Sequence, residues 1–201
     1  MMRIIGLTGG IGSGKSTVSE YLKRKGCVIV DADELSRKMT EKGSPALDKL
    51  RKSFGDGVFL EDGALDRKKL AALVFSDAQK KQLLESIITR AVVDESIKRL
   101  SALRNSREKG IAVLDAPLLF EFNMQAYTDE VWVVRADEQT VTARVKARDG
   151  MSREELLRRI SNQLPSAERE RLADKIIDNS SDLEHLYAQL DRLLSEQHEQ
   201  L

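Results

Sequence analysis

Three observations predict an α/β fold with about five parallel strands. Short apolar runs at Arg3–Thr8, Cys27–Val30, Ile111–Asp115 and Val131–Val134, with a shorter one around Ile176–Ile177, have the length of strands buried on both faces. Stretches with apolar residues at helical spacing lie between them. A glycine-rich turn joins the first run to the first helical stretch, which is where α/β proteins place a ligand.

That turn reads Gly9-Gly10-Ile11-Gly12-Ser13-Gly14-Lys15-Ser16 and satisfies G-x-x-x-x-G-K-[ST] between a strand and a helix. Glycines allow backbone N–H groups to curl around an anion, because the φ values required are unfavourable for a residue with a Cβ. Lys15 is placed to reach the outer phosphates of a nucleotide, and the Ser16 hydroxyl to ligate magnesium. Gly10, Ile11, Gly12, Ser13, Gly14, Lys15, Ser16 and Thr17 are therefore the expected ATP-binding residues. A turn that binds nothing is the competing reading, and a change at Gly9, Gly14, Lys15 or Ser16 would break the pattern.

The helix from Lys15 to Lys25 turns Val18, Tyr21 and Leu22 inward and stops at Gly26. The second strand runs into Asp31-Ala32-Asp33, which brings two carboxylates to the ligand end of the sheet. From there to about Asn105 the pattern turns helical. Ser44-Pro45 and Asp66 are expected to start two short helices, and Ser76 with Gln79 to form the capping box of a long one. Residues 34–105 thus form an expected helical substrate-binding subdomain, by analogy with other small-molecule kinases. Asp115 ends the third strand beside the phosphate loop and suits the magnesium shell, with a capping or turn role as the alternative.

Residues 138–170 are rich in arginine, with Arg144 and Arg148 four apart and an Asp149-Gly150 turn. They read either as a solvated charged face or as a lid that closes over nucleotide. Ser181 with Glu184 is expected to cap a last helix carrying Leu186, Leu190, Leu193 and Leu194. The nucleotide-binding core is then 1–33 with 106–137 and 171–201, and the whole is one unit.

Composition excludes several classes. Lysine plus arginine number 33, as do aspartate plus glutamate, so the net charge is zero; few aromatics accompany it, and a nucleic-acid partner is not expected. The single cysteine, Cys27, cannot form an internal disulfide and is expected to be buried and inert. A strand starting at Arg3 leaves no room for a leader, and no run is long enough for a membrane span, so a cytoplasmic protein without membrane partners is expected.

Among phosphate-loop proteins, a GTPase would carry D-x-x-G after the third strand and N-K-x-D further on; here Asp115 precedes Ala116-Pro117-Leu118, and N-K-x-D is missing. The transporter signature L-S-G-G-Q is also missing, which leaves a compact small-molecule kinase. An alcohol acceptor must shed a proton, so Asp31 and Asp33 favour an alcohol over a phosphate. Asp33 is either the general base or a cap of the helix starting at Glu34.

These residues resemble the dephospho-coenzyme A kinase family. The resemblance rests on Thr8 to Ser16, Asp31-Ala32-Asp33, Leu65-Asp66-Arg67 before Val74-Phe75, and Asp115-Ala116-Pro117-Leu118-Leu119-Phe120-Glu121. It continues in Arg148-Asp149-Gly150, Arg159-Ile160, Gln163, Ala173-Asp174 and Asn179, nearly the whole chain. It implies a P-loop kinase fold with a coenzyme A subdomain and a helical lid. The implied reaction moves the γ-phosphoryl of ATP, with Mg²⁺, to the ribose 3′-hydroxyl of dephospho-coenzyme A, the last step of coenzyme A synthesis. By position it implies Asp33 as base, Lys15 and Arg144 on the transferring group, Asn179 near adenine, and Ser16 with Asp115 for metal. Arg67, Leu118, Asp33 and Asp115 fall on the acceptor side, Asp115 as an alternative to its metal role. Other nucleoside or nucleotide kinases, and a non-catalytic ATP sensor, are the alternatives. Two departures stand out: Thr89-Arg90 replaces a usual His-Pro pair, and Ser180-Ser181 stands where a glycine is common.

Overall fold

The computed structural model describes residues 2–149 and 163–199. The side chain of Arg148 and the segment with Gly150, Met151, Arg153, Arg158, Arg159 and Ile160, on which part of the lid expectation rests, lie outside the described residues. The chain divides into two compact units, Met1–Val30 with Arg99–Leu201, and Asp31–Lys98.

A five-stranded sheet of order β2-β3-β1-β4-β5 organises the first unit. Its strands are β1 (Met2–Gly9), β2 (Val28–Asp31), β3 (Gly110–Asp115), β4 (Glu130–Arg135) and β5 (Lys175–Asp178). β1 pairs in parallel with β3 on one side and β4 on the other, and β4 with β5. The central strand is buried almost throughout, which is why its sequence is apolar rather than alternating.

Helices α1 (Lys15–Arg24) and α8 (Leu183–His198) bury their apolar stripes against one face of this sheet. Val18 and Leu22 of α1, with Leu186 and Leu190 of α8, meet Ile5, Leu7, Val113, Trp132 and Ile177 there. Tyr21 stacks on Tyr187 at 4.1 Å between ring centroids, locking the two helices together. α1 ends as expected at Gly26: φ is +94°, and the following N–H of Cys27 returns to the carbonyl of Leu22 at 3.0 Å.

The second unit is helical. It holds α2 (Ala32–Lys38), α3 (Pro45–Phe54), α4 (Arg67–Phe75) and most of α5 (Ala78–Arg104), which continues into the first unit. Leu47, Leu50, Val58, Phe59, Leu65 and Leu70 form its core, with Leu84, Ile87 and Ile88 of α5 packed on it. Ser44 and Asp66 cap α3 and α4 through their side chains as the sequence predicts.

Two caps fall one residue later than expected. Asp77, not Ser76, accepts the N–H groups of Gln79 and Lys80 at the start of α5. Ser76 instead donates its hydroxyl back to the carbonyls of Ala72 and Leu73, closing α4. Likewise Asp182, not Ser181, caps α8 through the N–H of His185 at 2.8 Å. In both places a carboxylate stands next to a serine, and the ionised acceptor takes the exposed amides. α5 runs unbroken through Thr89 and Arg90, with Arg90 paired to Asp94 one turn on. No proline interrupts its ladder there, so that departure leaves a continuous helix.

Candidate active site

The loop from Gly10 to Gly14 leaves β1 and enters α1 through a left-handed residue, Gly14, with φ +87°. The N–H of Ser13 returns to the carbonyl of Gly10 at 3.1 Å, and that of Thr17 to Gly14 at 3.0 Å, so the curl is internally bonded. Gly12 is the second left-handed position, φ +74°. A Cβ there would meet Val145 at 2.8 Å and Val141 at 3.0 Å, both from α6 (Glu138–Asp149).

β3 delivers Asp115 to the loop. Leu7 and Asp115 are register partners, and the chain beyond is held by Ala116 N–H to Leu7 O at 3.0 Å and by the Thr8 hydroxyl to Pro117 O at 3.2 Å. The Lys15 ammonium forms a salt bridge with Oδ1 of Asp115. Asp115 is buried and Lys15 nearly so, so the pair is shielded from solvent. Lys15 is thereby held at the mouth of the loop, one residue before the exposed Ser16 hydroxyl.

On the other flank, Asn179 follows β5 and is 3% exposed. Its Nδ2 donates to the carbonyl of Ser13 at 2.8 Å, while Arg144 on α6 donates to Asn179 Oδ1 at 3.4 Å and to Ser13 O at 3.5 Å. A Cβ on Gly14 would collide with that same Nδ2. Asn179 thus holds the loop at Ser13, a contact the sequence did not announce.

The sequence profile of the dephospho-CoA kinase family matches residues 3–185. This chain belongs to the dephospho-CoA kinase family. A dephospho-CoA kinase of Shouchella clausii is 43% identical over 196 residues, spanning 97% of this chain and 99% of its own length. A crystal structure from Thermus thermophilus superposes with a TM-score of 0.74 at 35% identity, covering 96% of this chain and 97% of that one. A dephospho-CoA kinase structure from Campylobacter jejuni, at 23% identity and a TM-score of 0.71, covers 98% of this chain and all of the other, and speaks for the fold.

Family membership makes the positions of the remaining candidates informative. Asp31, not Asp33, is the N-cap of α2, accepting the N–H of Glu34 at 2.9 Å. The capping alternative for Asp33 therefore falls away. Asp33 lies in the first turn of α2, exposed, and its side chain makes no hydrogen bond or ion pair among the described residues. Arg67 opens α4 in the same unit, exposed, with its guanidinium on the Thr40 hydroxyl at 2.9 Å. Leu118 is half-buried in the turn after β3, its carbonyl accepting the N–H of Phe122 at 3.2 Å.

The second departure from the family pattern also has a structural role. The Ser180 hydroxyl accepts the N–H of Asp137 at 3.0 Å, and Asp137 caps α6 through Thr140. That serine ties the turn after β5 to the helix that carries Arg144.

One site residue escaped sequence reading. Arg169, in α7 (Ser166–Arg171), falls within the 138–170 stretch without a role of its own in the sequence, yet it is 4% exposed and lies against Gly10. The available signal was Gly10 itself, a glycine at a position where the loop pattern allows any residue.

Proposed function

We propose that this chain transfers the γ-phosphoryl group of ATP to the ribose 3′-hydroxyl of dephospho-CoA, giving coenzyme A and ADP. The observation that carries the reading is the family match across nearly the whole chain, joined to an intact phosphate loop whose lysine is held by the carboxylate at the end of β3. Loop amides from Gly12 to Thr17 and the Lys15 ammonium hold the outer phosphates. Arg144, fastened to the loop at Ser13, neutralises charge that builds on the transferring group. Asn179 borders the adenine side while fixing the loop.

Asp33 takes the proton from the 3′-hydroxyl as the new O–P bond forms, and the β–γ bridging oxygen leaves with ADP. Its freedom from capping supports that role. Arg67 and Leu118 serve the acceptor, and residues 34–105 and 138–170 act as substrate subdomain and lid. Ser16 and Asp115 offer a hydroxyl and a carboxylate, an all-oxygen donor set that suits Mg²⁺ with phosphate and water completing its shell. When bound, Mg²⁺ offsets the charge on the β and γ oxygens. Because Asp115 also holds Lys15, it couples the metal position to the lysine.

A cytoplasmic location fits the lone buried Cys27, and among the described residues no helix is long and apolar enough to cross a membrane. The deciding experiment is a coupled assay of ADP release with Mg-ATP and dephospho-CoA, with adenosine and AMP as control acceptors. Turnover on dephospho-CoA well above both controls is expected. A higher kcat/KM for AMP would favour a nucleotide kinase, and ATP binding without turnover on any acceptor would favour a sensor.

A further inference from the structure

Arg169 is a cation buried where the fold alone gives little reason for one. Removing a guanidinium from water is costly, and burial pushes its pKa below the ordinary arginine value, opposed by the charges of Glu121 and Glu170. Its two terminal nitrogens are committed: Nη1 donates to Oε1 of Gln163 at 3.4 Å and Nη2 to the Ser166 hydroxyl at 3.2 Å. The same Gln163 oxygen accepts the N–H of Ile11 at 3.3 Å. Beside them opens a cavity of about 420 Å³ that Gly10, Ile11, Gln163 and Arg169 help to line.

The consequence concerns one peptide group. The unit between Gly10 and Ile11 is planar, so its carbonyl and its N–H point in fixed opposite directions. The carbonyl accepts Ser13 N–H at 3.1 Å inside the loop, and the N–H donates to Gln163 outside it. Both ends of the plane are therefore pinned. Gln163 can perform its part only with its oxygen, not its NH₂, facing Ile11, and the Arg169 donor enforces that orientation. Space matters too: a Cβ on Gly10 would sit 2.6 Å from Nη2 of Arg169, so the guanidinium would have to shift from its two partners to admit it.

We propose that Arg169 is a positioning residue for nucleotide binding, acting through Gln163 to fix the Gly10–Ile11 peptide and so to hold the loop in its phosphate-accepting curl. The proposal rests on the ATP-binding reading above. The test measures Kd for Mg-ATP by calorimetry on the full chain, with thermal melts beside it. Arg169→Met is expected to raise Kd about tenfold, the scale of one hydrogen bond to a charged group. Arg169→Lys should fall between, since an ammonium restores the charge but not the fork. Gln163→Leu should match Arg169→Met, and the double variant should be no worse than either, because both remove one device. Gly10→Ala should weaken binding in the wild-type background and cost less beside Arg169→Met, where the clash is relieved.

Single losses that multiply in the double variant would overturn the proposal, as would variants that melt like the wild type and bind Mg-ATP equally well. If Arg169→Met does not fold, Gln163→Leu at its half-exposed position decides alone, and unchanged affinity overturns the idea. A wild-type chain that does not bind Mg-ATP would instead contradict the function proposed above.

Discussion

Asp33 and Cys27 show how differently two side chains of one sequence are set by their surroundings. Asp33 projects from the first turn of α2 with its neighbour Asp31 already spent on the cap. With no structural duty among the described residues, its removal should cost chemistry rather than stability. Asp33→Asn is expected to keep the affinity for ATP and the melting temperature while lowering kcat by about 10², the usual worth of a general base; steady-state kinetics with calorimetry checks this, and unchanged turnover would take Asp33 out of the mechanism. Cys27 is buried between α1 and β2, and burial pushes its thiol pKa up to about 11. The raised folded value means that the thiol form stabilises the fold below the ordinary pKa of 9.0, and that this contribution is lost as pH rises toward about 11. A thiol reagent at pH 7.5 should leave the native chain unlabelled and label it once in urea. Rapid native labelling would contradict the burial.

At the scale of elements, the helices that the apolar pattern predicted are those the sheet needs. Leu190 of α8 is fully buried among Val18, Leu22 and the strand residues, so Leu190→Ala should destabilise by about 2–5 kcal/mol, read from denaturant unfolding. A loss under about 1 kcal/mol would mean that α8 is not docked as described. Strands, helix stripes and the phosphate loop were legible because burial on both faces and glycine geometry leave direct marks in the sequence. Caps were less so: Asp77 and Asp182 each stand beside a serine that fits the same motif, and only the folded geometry decides between them. Arg169 was illegible for a related reason, since a run such as Ser166–Arg171 looks solvated until the loop it packs against is in place.

For the whole molecule, the two compact units correspond to one interruption of the βα rhythm, after β2, where the chain leaves the first unit at Val30 and returns to it along α5. The first unit carries the contacts described above that shape the phosphate loop, among them Lys15 with Asp115, Asn179 and Arg144 with Ser13, and Gln163 with Ile11. The second carries Asp33 and Arg67, two of the groups proposed for the acceptor side, while Leu118, also proposed there, lies in the first. In the proposed reaction the transferred phosphate ends on the ribose 3′ oxygen. Phosphorus NMR of the product made from Mg-ATP and dephospho-CoA reads that position directly. A new phosphomonoester signal coupled to the ribose H3′ proton, growing in step with ADP, is expected. A phosphate on another oxygen, or ADP formed with release of inorganic phosphate alone, would contradict it.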